Sequence, residues 1–288
     1  MSTPDLHTYV SSRKIGDATV TVISEGSCLW APRFGVPEAA WRRAMPDADA
    51  EGRIHIAFNL IHIRIGAASV LVDPGFDDPW SSWDEAFGAR WHAYARTPGL
   101  GAALAALGVR AGEVTHVLIT HGHDDHFAGV AAEVGGRLEP RFPRARHLIG
   151  RQDWEGNPRR ADPQLELTLR LGLLHSRGLL DLVDGEQEIV PGVRMIHAPG
   201  ETPGHSVVRV RSAQERFYFV GDLFHHTSEI ANPDWVSPGR DAVAMRASRD
   251  RLLAEASATA TVVFAHAPFP AWGRIVAAER GYIWERLQ

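Results

Sequence analysis

Between Thr120 and His126 the chain reads THGHDDH, which places three histidines and two aspartates within six consecutive positions. Imidazole nitrogens and carboxylate oxygens are good ligands for borderline divalent cations such as zinc, and a glycine such as Gly122 lets the backbone turn tightly between them. The run closes the apolar stretch VTHVLIT (114–120), whose length and β-branched content predict a strand ending at Thr120. His121 and His123, two apart in extended chain, then face one side, and Asp125 and His126 open the helix that follows. Other candidates stand at strand ends too: His205 precedes SVVRV, Asp222 follows FYFVG, His266 closes TVVFA and Asp73 ends SVLV. One such histidine would be an ordinary core residue. Four segments repeating the pattern point to a metal site assembled from strand termini, which a rigid sheet can hold in place.

The elements that must position these residues are short apolar runs: 18–23, 59–65, 68–73, 114–120, 145–150, 205–210, 216–221 and 261–266 read as strands. Helical spacing marks 99–108, 164–178 and 241–256. Strands cluster first and then mix with helices, which predicts a layered α/β protein with sheets packed inside helices. With no repeat and no low-complexity linker, residues 1–288 are read as one domain. Segment 74–99 departs from this pattern, being rich in Trp and turn formers without periodicity, and is expected to form a surface excursion or lid.

Composition narrows the function. A formal charge of −5 provides no basic field for nucleic acid. Lys14 is the single lysine, which disfavours Schiff-base chemistry, and the lone Cys28 excludes an internal disulfide framework or a cysteine-rich metal site. With no signal-like apolar core at the N-terminus and no run long enough to span a bilayer, the expected location is cytoplasmic, without a membrane partner.

The order H-x-H-x-D-H, a distant His, an Asp after Gly and a late His resembles the metallo-β-lactamase superfamily from about Asp73 to His266. The resemblance implies a four-layer αββα sandwich in the α/β (α+β) class. It implies two divalent ions, with His121, His123 and His205 on the first, Asp125, His126 and His266 on the second, and Asp222 bridging both. Asp73 would support a ligating histidine from behind. Zinc is the expected metal, with manganese, iron and cobalt as alternatives. Two such ions can lower the pKa of a bridging water and yield hydroxide as nucleophile.

Asp125 is a candidate proton acceptor, and His225 or His226 a candidate donor to substrate or leaving group. Quorum-quenching lactonases of this superfamily typically carry a tyrosine where this chain has His225. The stretch GDLFHHTSEIANPDW (221–235) looks more like the branch of methyl-parathion-hydrolase-like proteins and broad lactonases. The other histidines in apolar runs, His55, His62, His116 and His147, read as core or surface residues.

The expected activity is therefore hydrolysis of lactones of the acyl-homoserine lactone type, or of related carboxylic esters. Organophosphate or aryl-ester hydrolysis and non-catalytic ligand binding are the alternatives. A β-lactamase would lack a bridging aspartate at Asp222, a hydroxyacylglutathione hydrolase would need a basic segment near the C-terminus, and a persulfide dioxygenase would use one iron. Trp30, Phe34, Trp41, Trp80, Trp83, Trp91 and Tyr94 could wall a pocket for an apolar acyl or aryl group. They could equally close the fold or form a homodimer contact.

Overall fold

The computed structural model describes residues 5–257 and 259–288. Its first sheet begins as an antiparallel meander of Val10–Ile15, Ala18–Trp30, Ile54–Ile65 and Ala68–Val72. It continues in parallel through His116–Ile119, Arg146–Gly150 and Leu180–Val183, while His92–Arg96 pairs with Ala18–Trp30. The second sheet runs in spatial order Gln187–Val190, Val193–His197, Ser206–Ser212, Glu215–Phe219, Thr261–Val263, Gly273–Ala277 and Tyr282–Arg286. Within it, only the Glu215–Phe219 and Thr261–Val263 pair is parallel.

Alternation along the strands sorts side chains into layers. Val70, Val72 and Leu118 point into the core shared with Met195, Val208, Phe217 and Phe219 of the second sheet. Leu71, Val117, Ile119 and Ile149 point the other way, against Leu100 and Leu104 of helix Gly99–Ala106 and against Leu167, Leu171 and Leu174. On the far side, helix Ala242–Ala256 joins the inter-sheet core through Met245, Leu252 and Leu253. The result is helix, sheet, sheet, helix. Burying strands on both faces is what makes their inner runs so continuously apolar.

The strand before the histidine run is shorter than its sequence suggests and stops at Ile119, because the Thr120 amide donates to Asp73 Oδ1 (2.7 Å). The 164–178 pattern splits into a π-helical turn, Leu167–Leu171, and a short helix, Gly172–Ser176. Segment 74–99 forms helix Ser82–Gly88, capped where Ser81 Oγ accepts from the Asp84 amide (3.2 Å), and strand His92–Arg96. Trp83 and Phe87 of that helix are buried against Phe76, whereas Trp80 is 81% exposed. Among the described residues no helix is long and apolar enough to cross a membrane.

Candidate metal centre

Topology explains why the sequence candidates converge. The parallel strands Ala68–Val72 and His116–Ile119 finish side by side, delivering Asp73 and His121 to one edge of the first sheet. The parallel pair Glu215–Phe219 and Thr261–Val263 finishes at the facing edge, delivering Asp222 and His266. His205 enters Ser206–Ser212, which is antiparallel to Glu215–Phe219, and so lies at the same end. Carboxyl ends of parallel strands are a common location for binding sites. The edges are tied by Asn59 Nδ2, which donates to Phe264 O (3.1 Å) and Ala267 O (2.7 Å), and by the Ser206 amide, which donates to Thr120 O (2.8 Å).

Two adjoining groups of donor atoms result: His121, His123, Glu201 and Asp222, and Asp125, His126 and His266. Asp222 reaches both, with Oδ2 3.5 Å from His121 Nε2 and Oδ1 3.2 Å from His126 Nε2 and 3.1 Å from His266 Nε2. Asp125 Oδ2 lies 3.7 Å from both His126 Nε2 and His266 Nε2. His205 is buried beside the first group but outside it: its Nε2 accepts from the Asp222 amide (3.1 Å) and its Nδ1 meets Ala198 O (3.1 Å). Gly221 leaves room for this contact, since at its φ of +53° a Cβ would stand 2.8 Å from His205 Nε2.

The donor set fits divalent cations on the structure's own terms. His126 Nε2 and Asp222 Oδ1 are buried, and neither has a hydrogen-bond partner among the described residues. His121 Nε2 and His123 Nδ1 face each other at 2.8 Å, which calls for a proton or a cation between the two lone pairs. The far nitrogens are braced: His126 Nδ1 donates to Asp73 Oδ2 (2.8 Å) and His266 Nδ1 to Ala57 O (2.9 Å). Asp73 also accepts from Thr120 Oγ1 (2.7 Å) and holds a left-handed φ of 50°, which aspartate tolerates better than most residues. Burial holds His121 well below the usual histidine range and takes His205 down to about 3, so both stay neutral, as metal ligation requires. His126 is shifted the other way: against its burial, the Asp222, Asp125 and Asp73 carboxylates around it favour a positive charge there, the charge that a cation would bring to the same place.

A cleft of about 360 Å³ opens over these groups. His123, Asp125, Asp222, His225 and His266 face it, and Trp30, Ile56, Phe58, Trp91 and Pro238 provide apolar wall. His225 stacks on His266 with ring centroids 5.8 Å apart and places Nε2 3.3 Å from Asp222 Oδ2. Burial opposes a charge on His225, but the Asp222 carboxylate, helped by Glu201 and Glu229, pushes the ring up to about 9. His226 points elsewhere: its Nδ1 accepts from the Ser228 amide (3.1 Å) and caps the turn Thr227–Ile230. Among the remaining histidines, His62 and His147 are buried and pushed down to about 4 chiefly by that burial, while His55 is exposed.

Two acids that sequence reading passes over are built into the site. Glu201, in the turn APGETPGHS, is fully buried with Oε1 3.5 Å from His123 Nδ1. Asp153, on helix Arg151–Trp154, accepts from the Gly122 amide (2.9 Å), Thr202 Oγ1 (2.6 Å) and the Gly204 amide (2.7 Å). It thereby ties the His121–His126 loop to the loop before His205. The available signal was an acid within a glycine- and proline-rich turn in one case, and an acid just after a predicted strand in the other.

Fold and side chains together define an αββα sandwich with a histidine–aspartate centre suited to divalent cations. The chain belongs to the metallo-beta-lactamase superfamily, whose family model matches residues 59–266. It is similar to metallo-beta-lactamase domain-containing protein 1 of Rattus norvegicus, with 28% identity over 92% of this chain and 84% of that protein. It is 26% identical over 135 residues to a probable metallo-hydrolase of Mycobacterium tuberculosis, covering 43% of this chain and 41% of that one. The matched region thus spans less than half of the mycobacterial relative. Among solved structures, the fold is similar to AidC, a dizinc quorum-quenching lactonase crystallised with N-hexanoyl-L-homoserine as product, at TM-score 0.77, 22% identity and 99% coverage of each chain. It is also similar to AbOPH, a hydrolase of the beta-lactamase superfamily, at TM-score 0.79, 20% identity and 98% coverage of each chain.

Proposed function

We propose that this metallo-hydrolase-family chain is a dinuclear enzyme that opens lactones of the acyl-homoserine lactone type or cleaves related carboxylic esters. The observation that carries the reading is a carboxylate, Asp222, within 3.5 Å of ring nitrogens in two adjoining donor groups on the floor of an apolar-walled cleft. His121, His123 and Asp222 would hold one cation, and the resemblance adds His205 to that set. Asp125, His126, His266 and Asp222 would hold the other. Zinc suits imidazole and carboxylate donors, and manganese, iron or cobalt can occupy the same types of ligand. When bound, such a pair supplies an activated water nucleophile and Lewis-acid polarisation of the carbonyl.

The chain's own residues do the rest. Asp125 borders the cleft, where it can accept the proton that water loses as its oxygen attacks the carbonyl carbon. His225, on the same wall, can donate a hydrogen bond to the carbonyl oxygen or protonate the departing alkoxide. The acyl C–O bond breaks, leaving a carboxylate and an alcohol and releasing one proton at neutral pH. Trp30, Phe58 and Trp91 offer apolar surface to an acyl or aryl group and keep bulk water from the reacting bond.

The test is acid release, followed with a pH indicator, from short- and long-chain acyl-homoserine lactones and simple aryl esters mixed with metal-loaded protein. Turnover is expected in the wild type and a loss of about 10²- to 10³-fold in Asp222→Asn, the size seen when one group that stabilises the developing charge is removed. Silence on every lactone and ester, with two metals bound, would overturn the reading.

A further inference from the structure

We propose that the cleft selects substrates whose apolar body ends in a carboxylate, with Arg240 as the recognising residue and Arg33 as a second cation on the rim. The inference deepens the hydrolase reading above and rests on the cleft being the substrate site.

The charges around the cleft divide unevenly. Three acids line it: Asp125, Asp222 and Glu201. Asp125 and Asp222 face the histidine groups, where cations would neutralise them. Glu201 is fully buried and meets Arg240 Nη2 at 2.6 Å, so it takes up one corner of that guanidinium. A guanidinium has five N–H donors, and Glu201 cannot occupy them all. Arg240 lines the cleft with its side chain 30% exposed, so the part of the guanidinium turned away from Glu201 is open to an incoming anion. Arg33, on the segment that follows Trp30, is exposed and lines the same cleft.

Position argues for a ligand that carries both features. Glu201 Oε1 lies 3.5 Å from His123 Nδ1 and 2.6 Å from Arg240 Nη2, so the guanidinium stands one carboxylate away from the first donor group. A substrate with a carboxylate a few bonds from its ester carbonyl can reach Arg240 while the carbonyl lies over Asp222. Its methylene chain would run along Trp30, Ile56 and Phe58. A guanidinium fork matches a carboxylate edge to edge, and such charge-assisted pairs are the stronger hydrogen bonds in a partly desolvated site. Monoesters of short dicarboxylic acids have this shape, whereas a neutral acyl chain of equal length offers the guanidinium no acceptor.

The experiment compares para-nitrophenyl hydrogen glutarate with para-nitrophenyl valerate, which share chain length and leaving group, on metal-loaded protein. The wild type is expected to favour the charged ester in kcat/KM by about 10-fold or more. Arg240→Met should bring the ratio close to one, Arg240→Lys should restore part of it, and Arg33→Ala should lower it by a smaller factor. Equal use of the two esters by the wild type, or a preference that survives Arg240→Met, would overturn the proposal. Calorimetric binding of glutarate against valerate separates this from failure of the hydrolase reading. Both ligands offer one carboxylate to the cations, and only glutarate has a second for Arg240. Tighter glutarate binding that depends on Arg240, without turnover of any ester, would keep the carboxylate site and remove the hydrolase. Turnover of both esters with no glutarate advantage would do the reverse.

Discussion

The floor of the cleft and its aromatic wall are built on opposite principles. On the floor, nearly every polar atom is aimed: His126 is fixed by Asp73, His266 by Ala57 O, and the two ligand-bearing loops by Asp153. Across the wall and behind it, Trp83, Phe87, Phe76 and Phe58 hold one another by packing, with Trp83 and Phe87 stacked at 4.9 Å. Directional bonds fix where a donor atom points, and packing fixes only volume and shape. On the proposed reading the floor would govern chemistry and metal retention, and the wall would govern stability and the fit of a substrate's apolar part.

Substitutions on either side test that division. The largest expected effect is on the wall: Trp83→Ala should cost about 3–5 kcal/mol of folding stability, read from denaturant unfolding. A loss below about 1 kcal/mol would make the segment an appendage and break the contrast. Next, on the floor, His225→Ala should lower kcat by about 10²-fold while metal content stays at two ions per chain. An unchanged kcat would remove His225 from the mechanism. Asp73→Ala should weaken one of the two metal positions by about 10- to 100-fold in a chelator competition, through loss of the brace on His126. Wild-type affinity in that variant would mean that the ring is held by its surroundings alone. The smallest effect is expected at the exposed Trp80, where alanine should change stability by no more than about 0.5 kcal/mol.

Much of the floor could be read from the chain because its residues sit at fixed offsets from apolar runs. His121, His123, Asp125 and His126 share one short stretch that runs into helix Asp124–Phe127, and Asp222 and His266 each follow a buried strand. Glu201 and Asp153 escaped because their meaning lies in partners far along the chain, such as Arg240 for one and Gly204 for the other. His205 was read from its place before a strand, but its hydrogen bond from the Asp222 amide depends on the turn at Gly221 and carries no sequence signal. Most inner strands were legible for the same reason as the floor, since burial on both faces leaves an unbroken β-branched run, but Val193–His197 was missed because Arg194 interrupts its apolar run. Gly273–Ala277 and Tyr282–Arg286 were not legible either, because each is only five residues long, with charged Arg274, Glu285 and Arg286 leaving too short an apolar run to recognise.

Asp153 has a consequence for how such a protein can change over time. Its single carboxylate holds the Gly122 amide, the Thr202 hydroxyl and the Gly204 amide, so a displacement of one ligand loop is passed to the other. Mutations that would retune substrate choice by shifting either loop disturb both at once, and most such steps are closed. The segment bearing Trp30–Arg33 borders the same cleft without a bond to Asp153, whereas Arg240 is tied to the second ligand loop through Glu201. The Trp30–Arg33 segment is the place where sequence can drift toward new substrates while the reactive centre keeps its shape.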